Sequence, residues 1–287
     1  MQSLKEALLN RSKNVDVVGL AADVAKTYIN ANYNIYGNLT FENVNGVCVV
    51  NCDGNVTVKI KNPGIEKLTN GFVWGEVKGQ FNCAGCKNLR TLEGAPKEVG
   101  MIFNCGSCIN LKSLKGAPEK VGDFYCSACK KLKSLEGAPK KVNTTFSCAQ
   151  CENLISLVGA PERVSSFYCY TCDKLKSLEG APKYVSRFFD CSDCKNLISL
   201  EGAPEKVGET FNCGKCLNLK SLQGAPKYVN RFFDCSGCKN LETLEGAPEK
   251  VGGTFDCTYC DNLTSLEGAP KHVRRLECDA RLKNEKS

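Results

Sequence analysis

This 287-residue sequence has almost none of the histidine on which general acid–base catalysis near neutral pH usually depends. The single histidine, His272, occupies a position where equivalent segments of the chain carry Lys, Glu, Arg or Tyr, so we interpret it as a solvated surface residue. A serine–histidine–aspartate set and a glycine-rich phosphate-binding loop are also missing. We therefore expect a protein that is not an enzyme and that needs no cofactor.

Long apolar runs are absent as well. No stretch of about 18 apolar residues is present to span a membrane, and Lys5, Glu6 and Arg11 interrupt any apolar segment that would form a secretory signal. With 42% hydrophobic and 24% charged residues, the composition is that of a folded, soluble chain. The 21 cysteines, with no visible export signal, favour reduced thiols and a cytoplasmic location, which is the host cytoplasm if the protein is viral.

Repetition is what the sequence has in abundance. Between Phe81 and Val273 the pattern Phe-x-Cys-x-x-Cys-x-x-Leu-x-Ser/Thr-Leu-x-Gly-Ala-Pro-x-x-Val occurs nine times, with a period of 21 or 22 residues. The missing residue of the shorter copies always falls between the Val and the next Phe, which indicates a tolerant connection. A tenth, incomplete copy starts at Leu276 and has Arg281 in place of the second cysteine. Such a fixed period is typical of a solenoid, which usually functions by binding along a surface.

The shape of each unit follows from its residues. The Phe and the first Cys lie two residues apart, so both point inward from a short strand. Two Leu and one Val add buried positions, and Gly-Ala-Pro gives a tight bend and an extended return segment. Stacking these units predicts a repeat solenoid of short parallel strands roughly 4.8 Å apart. We assign residues 81–275 to this nine-repeat solenoid and residues 276–287 to a C-terminal cap and tail.

Residues 1–80 depart from the repeat, and we assign them to a small α/β N-terminal cap with two helices followed by short strands. Ser3-Leu4-Lys5-Glu6 is a capping box and predicts a first short helix. An apolar stripe predicts a second helix over residues 16–30. Alternating apolar residues over 39–60, with a turn at Asp53-Gly54, predict strands. A tethering or oligomerising role for the helices is the alternative to capping.

The order of apolar strand, Asn or Cys, Leu-x-x-Leu and proline-containing return resembles the leucine-rich repeat, in particular the short type found in bacterial effector proteins. The repeat is also similar to that of repeat proteins from large tailed bacteriophages and some bacteria. The resemblance covers about two thirds of the chain, which differs in having Phe for the first strand Leu, Cys for Asn and one extra residue before the Leu pair. It implies a leucine-rich-repeat-like solenoid in which the second cysteines, such as Cys86, Cys108 and Cys129, donate hydrogen bonds to carbonyls of neighbouring turns.

The cysteine pairs also have the spacing of zinc ligands, because each Cys-x-x-Cys follows another after about 18 residues. A stacked ladder, however, sends each cysteine to the same place in its own turn, and nine pairs do not divide into sites of two pairs. Cys48 and Cys52 could complete such a set, but three residues separate them. We therefore expect a buried, reduced cysteine ladder without metal, with zinc sites and disulfides between turns as the alternatives.

The formal net charge of +7 raises the question of nucleic acid, but the position of the charges matters more than their sum. The outward strand position between Phe and Cys carries no Lys or Arg in any copy and becomes acidic toward the C terminus. Most lysines lie instead on the return side and after the first Leu. Nucleic acid is therefore an unlikely partner, because binding along the strand face is disfavoured and we expect the lysines to form a solvated surface.

We predict a non-catalytic scaffold that binds a protein partner on the strand face. The candidate contact residues are aromatic and charged side chains at outward strand positions and at their edge, namely Tyr125, Tyr168, Arg187, Phe188, Asp190, Arg231, Phe232, Asp234 and Asp256. Phe188 and Phe232 are each preceded by an arginine and followed two residues on by an aspartate. The alternatives are a structural or assembly component, for instance of a virion, and, less favoured, a nucleic-acid-binding or zinc-binding repeat protein. A further alternative for Phe188 and Phe232 is that the two side chains simply fill a groove.

Overall fold

The computed structural model describes residues 17–59 and 65–283, which form a β-solenoid of about ten stacked parallel turns. Helix α1 (Val17–Asn32) lies at the N-terminal end and the short helix α2 (Ala280–Lys283) at the C-terminal end. The predicted repeat solenoid is confirmed, and so is the second predicted helix, which is shifted by one or two residues at each end. The helix predicted at Ser3 lies outside the described residues.

Each turn contributes two short parallel strands, which we call the Val strand and the Phe strand after the core residue each contains. The strands in chain order are β1 (Tyr33–Tyr36), β2 (Leu39–Val44), β3 (Val47–Cys52), β4 (Asn55–Val58), β5 (Val73–Val77), β6 (Phe81–Asn82), β7 (Glu98–Asn104), β8 (Lys120–Tyr125), β9 (Lys141–Val142), β10 (Thr145–Ser147), β11 (Arg163–Val164), β12 (Ser166–Tyr168), β13 (Tyr184–Val185), β14 (Phe188–Asp190), β15 (Lys206–Val207), β16 (Thr210–Asn212), β17 (Tyr228–Val229), β18 (Phe232–Asp234), β19 (Lys250–Asp256) and β20 (His272–Glu277). In β7, β8, β19 and β20 one strand spans both positions.

The connection between the two strands absorbs the variation in repeat length. Between β7 and β8 the register shifts after the pair Val99↔Val121, because the earlier turn has one residue more. The same irregularity separates the Val and Phe positions of β19 and β20. The core residues on either side stay in register, so the prediction of a tolerant connection is confirmed.

Stacked phenylalanines form the spine of the core. The nine rings from Phe81 to Phe255 are fully buried, and consecutive ring centroids lie 5.2–5.6 Å apart. Parallel rows of Leu and Val side chains fill the remaining space. Full burial of each such side chain contributes roughly 1.5–3 kcal/mol, so the repeated core stabilises every turn in the same way.

The N-terminal cap shares its sheet with the solenoid. Strands β3 and β4 form an irregular turn in parallel register with the first repeat, with Val56 opposite Phe81. Antiparallel β1 and β2 then pair with β4 and β3 and end the sheet on this side. Tyr33 and Trp74 pack edge-on at 5.5 Å beside Phe81, and the Tyr33 hydroxyl donates to the Leu68 carbonyl at 2.6 Å. The aromatic spine is therefore closed by two rings with satisfied polar atoms.

The C-terminal end is closed by a charged side chain. The guanidinium of Arg281 donates to the carbonyl of Cys260 at 2.6 Å and also to that of Leu263. Arg281 replaces the second cysteine of the tenth copy, and its guanidinium adds donors at this end of the solenoid, although the Cys260 carbonyl also accepts the Leu263 N–H at 3.0 Å.

Candidate binding surface

The cysteines line the core in two ladders, and all 21 are free, buried thiols. From Cys108 to Cys260, the second cysteine of each turn donates its thiol hydrogen to the carbonyl of the first cysteine in the preceding turn, at 3.2–3.3 Å. The hydrogen bonds that the family resemblance implied are therefore present. Since thiols are weak donors, the ladder stabilises the turns mainly by satisfying buried carbonyls.

Burial keeps the first cysteine of each inner turn, from Cys105 to Cys235, protonated. It raises the pKa of the first cysteines of the inner turns well above the ordinary value, as at Cys148, Cys191 and Cys213. Metal binding needs thiolates that converge on one point. In residues 17–59 and 65–283, no three His, Cys, Asp or Glu side chains come together as a metal-binding group.

The outward surface of the Phe strands, which we call the strand face, carries a row of aspartates whose carboxylates bond to the backbone. Asp190 accepts a hydrogen bond from the backbone N–H of Ser192 at 2.9 Å, and Asp234 and Asp256 accept the equivalent bonds at 2.8 and 2.9 Å. Each carboxylate thereby begins the turn that carries the cysteine pair. Burial raises the pKa of the Asp190 carboxyl, and the bonds from Ser192 oppose that shift. This local role of the three predicted contact residues was not evident from the sequence.

Four of the other predicted contact residues meet at the bend between the Val and Phe strands. Phe188 and Phe232 flank Thr210 in consecutive turns, as the strand register requires. The guanidinium of Arg187 lies 4.9 Å from the ring centroid of Phe188, and that of Arg231 lies 5.7 Å from the ring of Phe232. Phe188 is half-buried and Phe232 is 45% exposed. The structure therefore brings two arginines and two accessible aromatic rings onto one ridge.

A carboxylate that sequence analysis did not single out holds this ridge together. Glu209 lies in the turn between the two arginines and accepts Arg187 Nε on Oε1 at 3.0 Å, while Arg231 lies 3.6 Å from Oε2. The backbone N–H of Glu209 also bonds to the Arg187 carbonyl, and the Arg231 N–H bonds to the Glu209 carbonyl. Glu209 is itself mostly buried, with 26% of its side chain exposed. The only available signal was its position, one repeat after one arginine and one repeat before the other.

A shallow pocket adjoins the ridge. Tyr168, Phe188, Asp190 and Thr210 line about 140 Å³ of open space. Tyr125 stands in the same outward row as Tyr168, but the small side chain of Ser147 separates them. The nine predicted residues thus share one surface, with Tyr125 at its edge and the ridge at its centre.

No part of the described chain forms a helix with the length and apolarity of a membrane span. Comparisons with protein families, curated proteins and solved structures find no significant match to this chain. Function is therefore inferred from the side chains described above.

Proposed function

We propose that this protein is a non-catalytic scaffold that binds a protein partner on the strand face, with the bend ridge as the anchor. The ridge consists of Arg187, Phe188, Glu209, Arg231 and Phe232. The observation that carries this proposal is the shared carboxylate of Glu209, which orders two arginines beside two accessible phenylalanine rings. Aromatic and arginine side chains held in this way are typical of the residues that dominate protein–protein binding energies.

The chemistry of the ridge favours a partner that presents one apolar side chain with carboxylates near it. Each guanidinium has five N–H donors, and Glu209 occupies a minority of them, so donors remain for carboxylates of a partner. The pocket beside Tyr168 and Phe188 is too small for most cofactors but can receive one apolar side chain. Arginines fixed before binding lose less conformational entropy when the complex forms.

The test is the double variant Phe188→Ser/Phe232→Ser, compared with the wild type in quantitative pull-down and cross-linking from the native host. A partner that binds the ridge should be lost from the variant, while the thermal midpoint should change by about 2 °C or less because neither ring belongs to the spine. The matched control is Ile155→Ser/Ile198→Ser, which removes two side chains that are 59% and 58% exposed on another side of the solenoid.

Two results would contradict the proposal. If the ridge variant and the control lose the same proteins, the two rings contribute only nonspecific hydrophobic binding. If the midpoint of the ridge variant falls by many degrees while that of the control does not, the two rings fill a groove, and the ridge is part of the packing.

A further inference from the structure

A second surface lies on the outward side of the Val strands, which we call the Val face. The residue before each core Val is exposed there, and in successive turns it forms one continuous row. Over the turns whose core Val runs from Val121 to Val251, this row consists of Lys120, Lys141, Arg163, Tyr184, Lys206, Tyr228 and Lys250. This part of the row contains five cations, two tyrosines and no carboxylate, whereas the two turns before it carry Glu76 and Glu98. Its registered pairs include Arg163↔Tyr184 and Tyr228↔Lys250.

The residue after each core Val makes the floor of a groove beside this row. Floor residues are small, as at Ser165, Ser186 and Gly208. One groove of about 580 Å³ runs along Arg163, Tyr184 and Lys206. A second, of about 630 Å³, continues from Lys206 past Tyr228 and Lys250. Lys206 lines both, so the two grooves adjoin along the solenoid axis, and we call them together the Val-face channel.

Within the described residues, four of the five cations in this row make no ion pair, a property they share with exposed lysines elsewhere such as Lys112, and the fifth, Lys120, lies 3.8 Å from Glu98. Within residues 17–59 and 65–283, no ion pair includes Lys141, Arg163, Lys206 or Lys250. Elsewhere, lysines such as Lys220 pair with carboxylates at about 3 Å. The neighbouring row, which follows each Pro, alternates Lys and Glu and is therefore close to neutral. The positive potential of the Val face is thus concentrated in the channel.

The two tyrosines are ordered by their neighbours. The guanidinium of Arg163 lies 3.6 Å from the ring centroid of Tyr184, and the Tyr228 hydroxyl donates to Glu249 at 3.1 Å. Tyr184 is 49% exposed and Tyr228 39% exposed. Positive charge along a groove, interrupted by accessible aromatic rings, is the combination by which proteins bind single-stranded nucleic acid without sequence preference.

We propose that the Val-face channel binds single-stranded nucleic acid, with its cations on the phosphates and Tyr184 and Tyr228 against bases. This proposal departs from the expectation that nucleic acid is an unlikely partner, because that expectation took the lysines outside the strand face to be only solvated. An acidic peptide fits less well, because the Gly, Ser and Asn floor has no pockets for particular side chains. A second copy of the chain also fits less well, because Asp190, Asp234 and Asp256 turn their carboxylates toward their own backbone.

The test measures anisotropy of a fluorescein-labelled oligo-dT of about 20 nucleotides, with the full chain under reducing conditions, between about 50 and 200 mM salt. The logarithm of the association constant should fall linearly with the logarithm of salt concentration, with a slope near −3.5 for five phosphate contacts. The variant Arg163→Gln/Lys206→Gln/Lys250→Gln should lose roughly tenfold or more in affinity, and its slope should decrease by about 2.

The matched control is Lys112→Gln/Lys133→Gln/Lys176→Gln, which removes the same charge from exposed positions after the first Leu. It should keep the slope and bind within about twofold of the wild type. The variant Tyr184→Ala/Tyr228→Ala should weaken binding by roughly tenfold without changing the slope, because base stacking is not a counterion effect. Circular dichroism checks that each variant is folded.

Several results would overturn the proposal. The first is absence of binding by the wild type, and the second is an equal loss of affinity in the channel variant and its charge-matched control. The third is an unchanged affinity in the tyrosine variant. Displacement of the oligonucleotide by poly-glutamate at equal charge concentration would identify an acidic-peptide site instead. Concentration-dependent self-association that the channel variant abolishes would identify an interface between copies.

Discussion

Raising the pH should unfold this protein at values where most soluble domains remain stable. The first cysteines of seven inner turns are fully buried, and their burial raises the pKa of each thiol well above the ordinary value. These residues are Cys105, Cys126, Cys148, Cys169, Cys191, Cys213 and Cys235. In the unfolded chain the same thiols ionise near pH 8.5. The stabilisation that the protonated thiols provide is therefore fully present below about pH 8.5 and is lost as the pH rises above it.

The magnitude follows from proton linkage. Between about pH 7.5 and 9.5, an unfolded thiol with a pKa near 8.5 becomes ionised while its buried counterpart stays protonated, which lowers the free energy of unfolding by about 1.4 kcal/mol per thiol. Seven thiols together give a loss of about 10 kcal/mol. That loss is comparable to the total stability of a typical domain, about 5–15 kcal/mol. We therefore expect the chain to be folded at the lower pH and close to unfolding at the higher one.

Urea titrations under a phosphine reductant at several pH values measure this effect. Circular dichroism reports on the sheet and Trp74 fluorescence on the N-terminal cap, so unfolding of separate segments would be detected as different midpoints. The variant Cys148→Ala/Cys213→Ala should be less stable at neutral pH, but its loss between the two pH values should be smaller by about 2.7 kcal/mol. A midpoint that does not fall with pH, or an equal loss in the variant and the wild type, would refute the argument from buried thiols.

Three further predictions concern the core and the turns. Leu178→Ala, at a fully buried position, should lower the free energy of unfolding by about 2–5 kcal/mol, and exposed Lys183→Ala by well under about 1 kcal/mol; equal effects in a urea titration would contradict the inward and outward assignments. Gly180 has φ = +86° and an added Cβ would lie 2.4 Å from the Val158 nitrogen, so Gly180→Ala should lower the thermal midpoint clearly, whereas Gly214→Ala, with its nearest atom at 3.1 Å, should have little effect. After chelator treatment, native mass spectrometry should find a folded chain without zinc, and loss of the circular dichroism signal or zinc in whole-number stoichiometry would contradict the thiol ladder.

Most of the solenoid could be predicted because one physical rule repeats in every turn. A Phe and a Cys two residues apart must share a face of a strand, and Gly-Ala-Pro must bend, so each copy of the repeat supplies the same answer. The glycines of this motif do adopt positive φ, for example +85° at Gly137. What could not be predicted lies where the repeat is absent. Strand β1 and the parallel register of β3 and β4 with the first repeat depend on contacts between distant residues that have no period to reveal them.

The candidate surface was predictable in its members but not in their roles. The outward positions of Asp190, Asp234 and Asp256 follow from the strand period, yet their bonds to the next turn depend on local backbone geometry. The repeat spacing places Arg187, Glu209 and Arg231 in adjacent turns, but the ion pairs between them depend on side-chain geometry that the spacing does not show. The lysines expected to form a solvated surface include a row that lines a channel, because a channel appears only when the residues on both sides of each core Val are seen in stacked turns.

The length of each repeat decides where such a ridge can form. A 22-residue turn has three residues between its Val and its Phe, and the middle one lies at the bend, as at Thr144 and Arg187; a 21-residue turn has two and lacks that position. The first two turns are both long and place the uncharged bend residues Gly79 and Met101 side by side. From Val99 to Val185 long and short turns alternate, so bend residues in that stretch do not occur in neighbouring turns. From Arg187 onward the long turns are consecutive, and the bend residues Arg187, Glu209 and Arg231 become adjacent and form ion pairs. Because the core residues are almost the same in every turn, they cannot distinguish one surface from another. The change from alternating to uniform repeat length, which leaves the core undisturbed, is what allows the ridge to exist at this place.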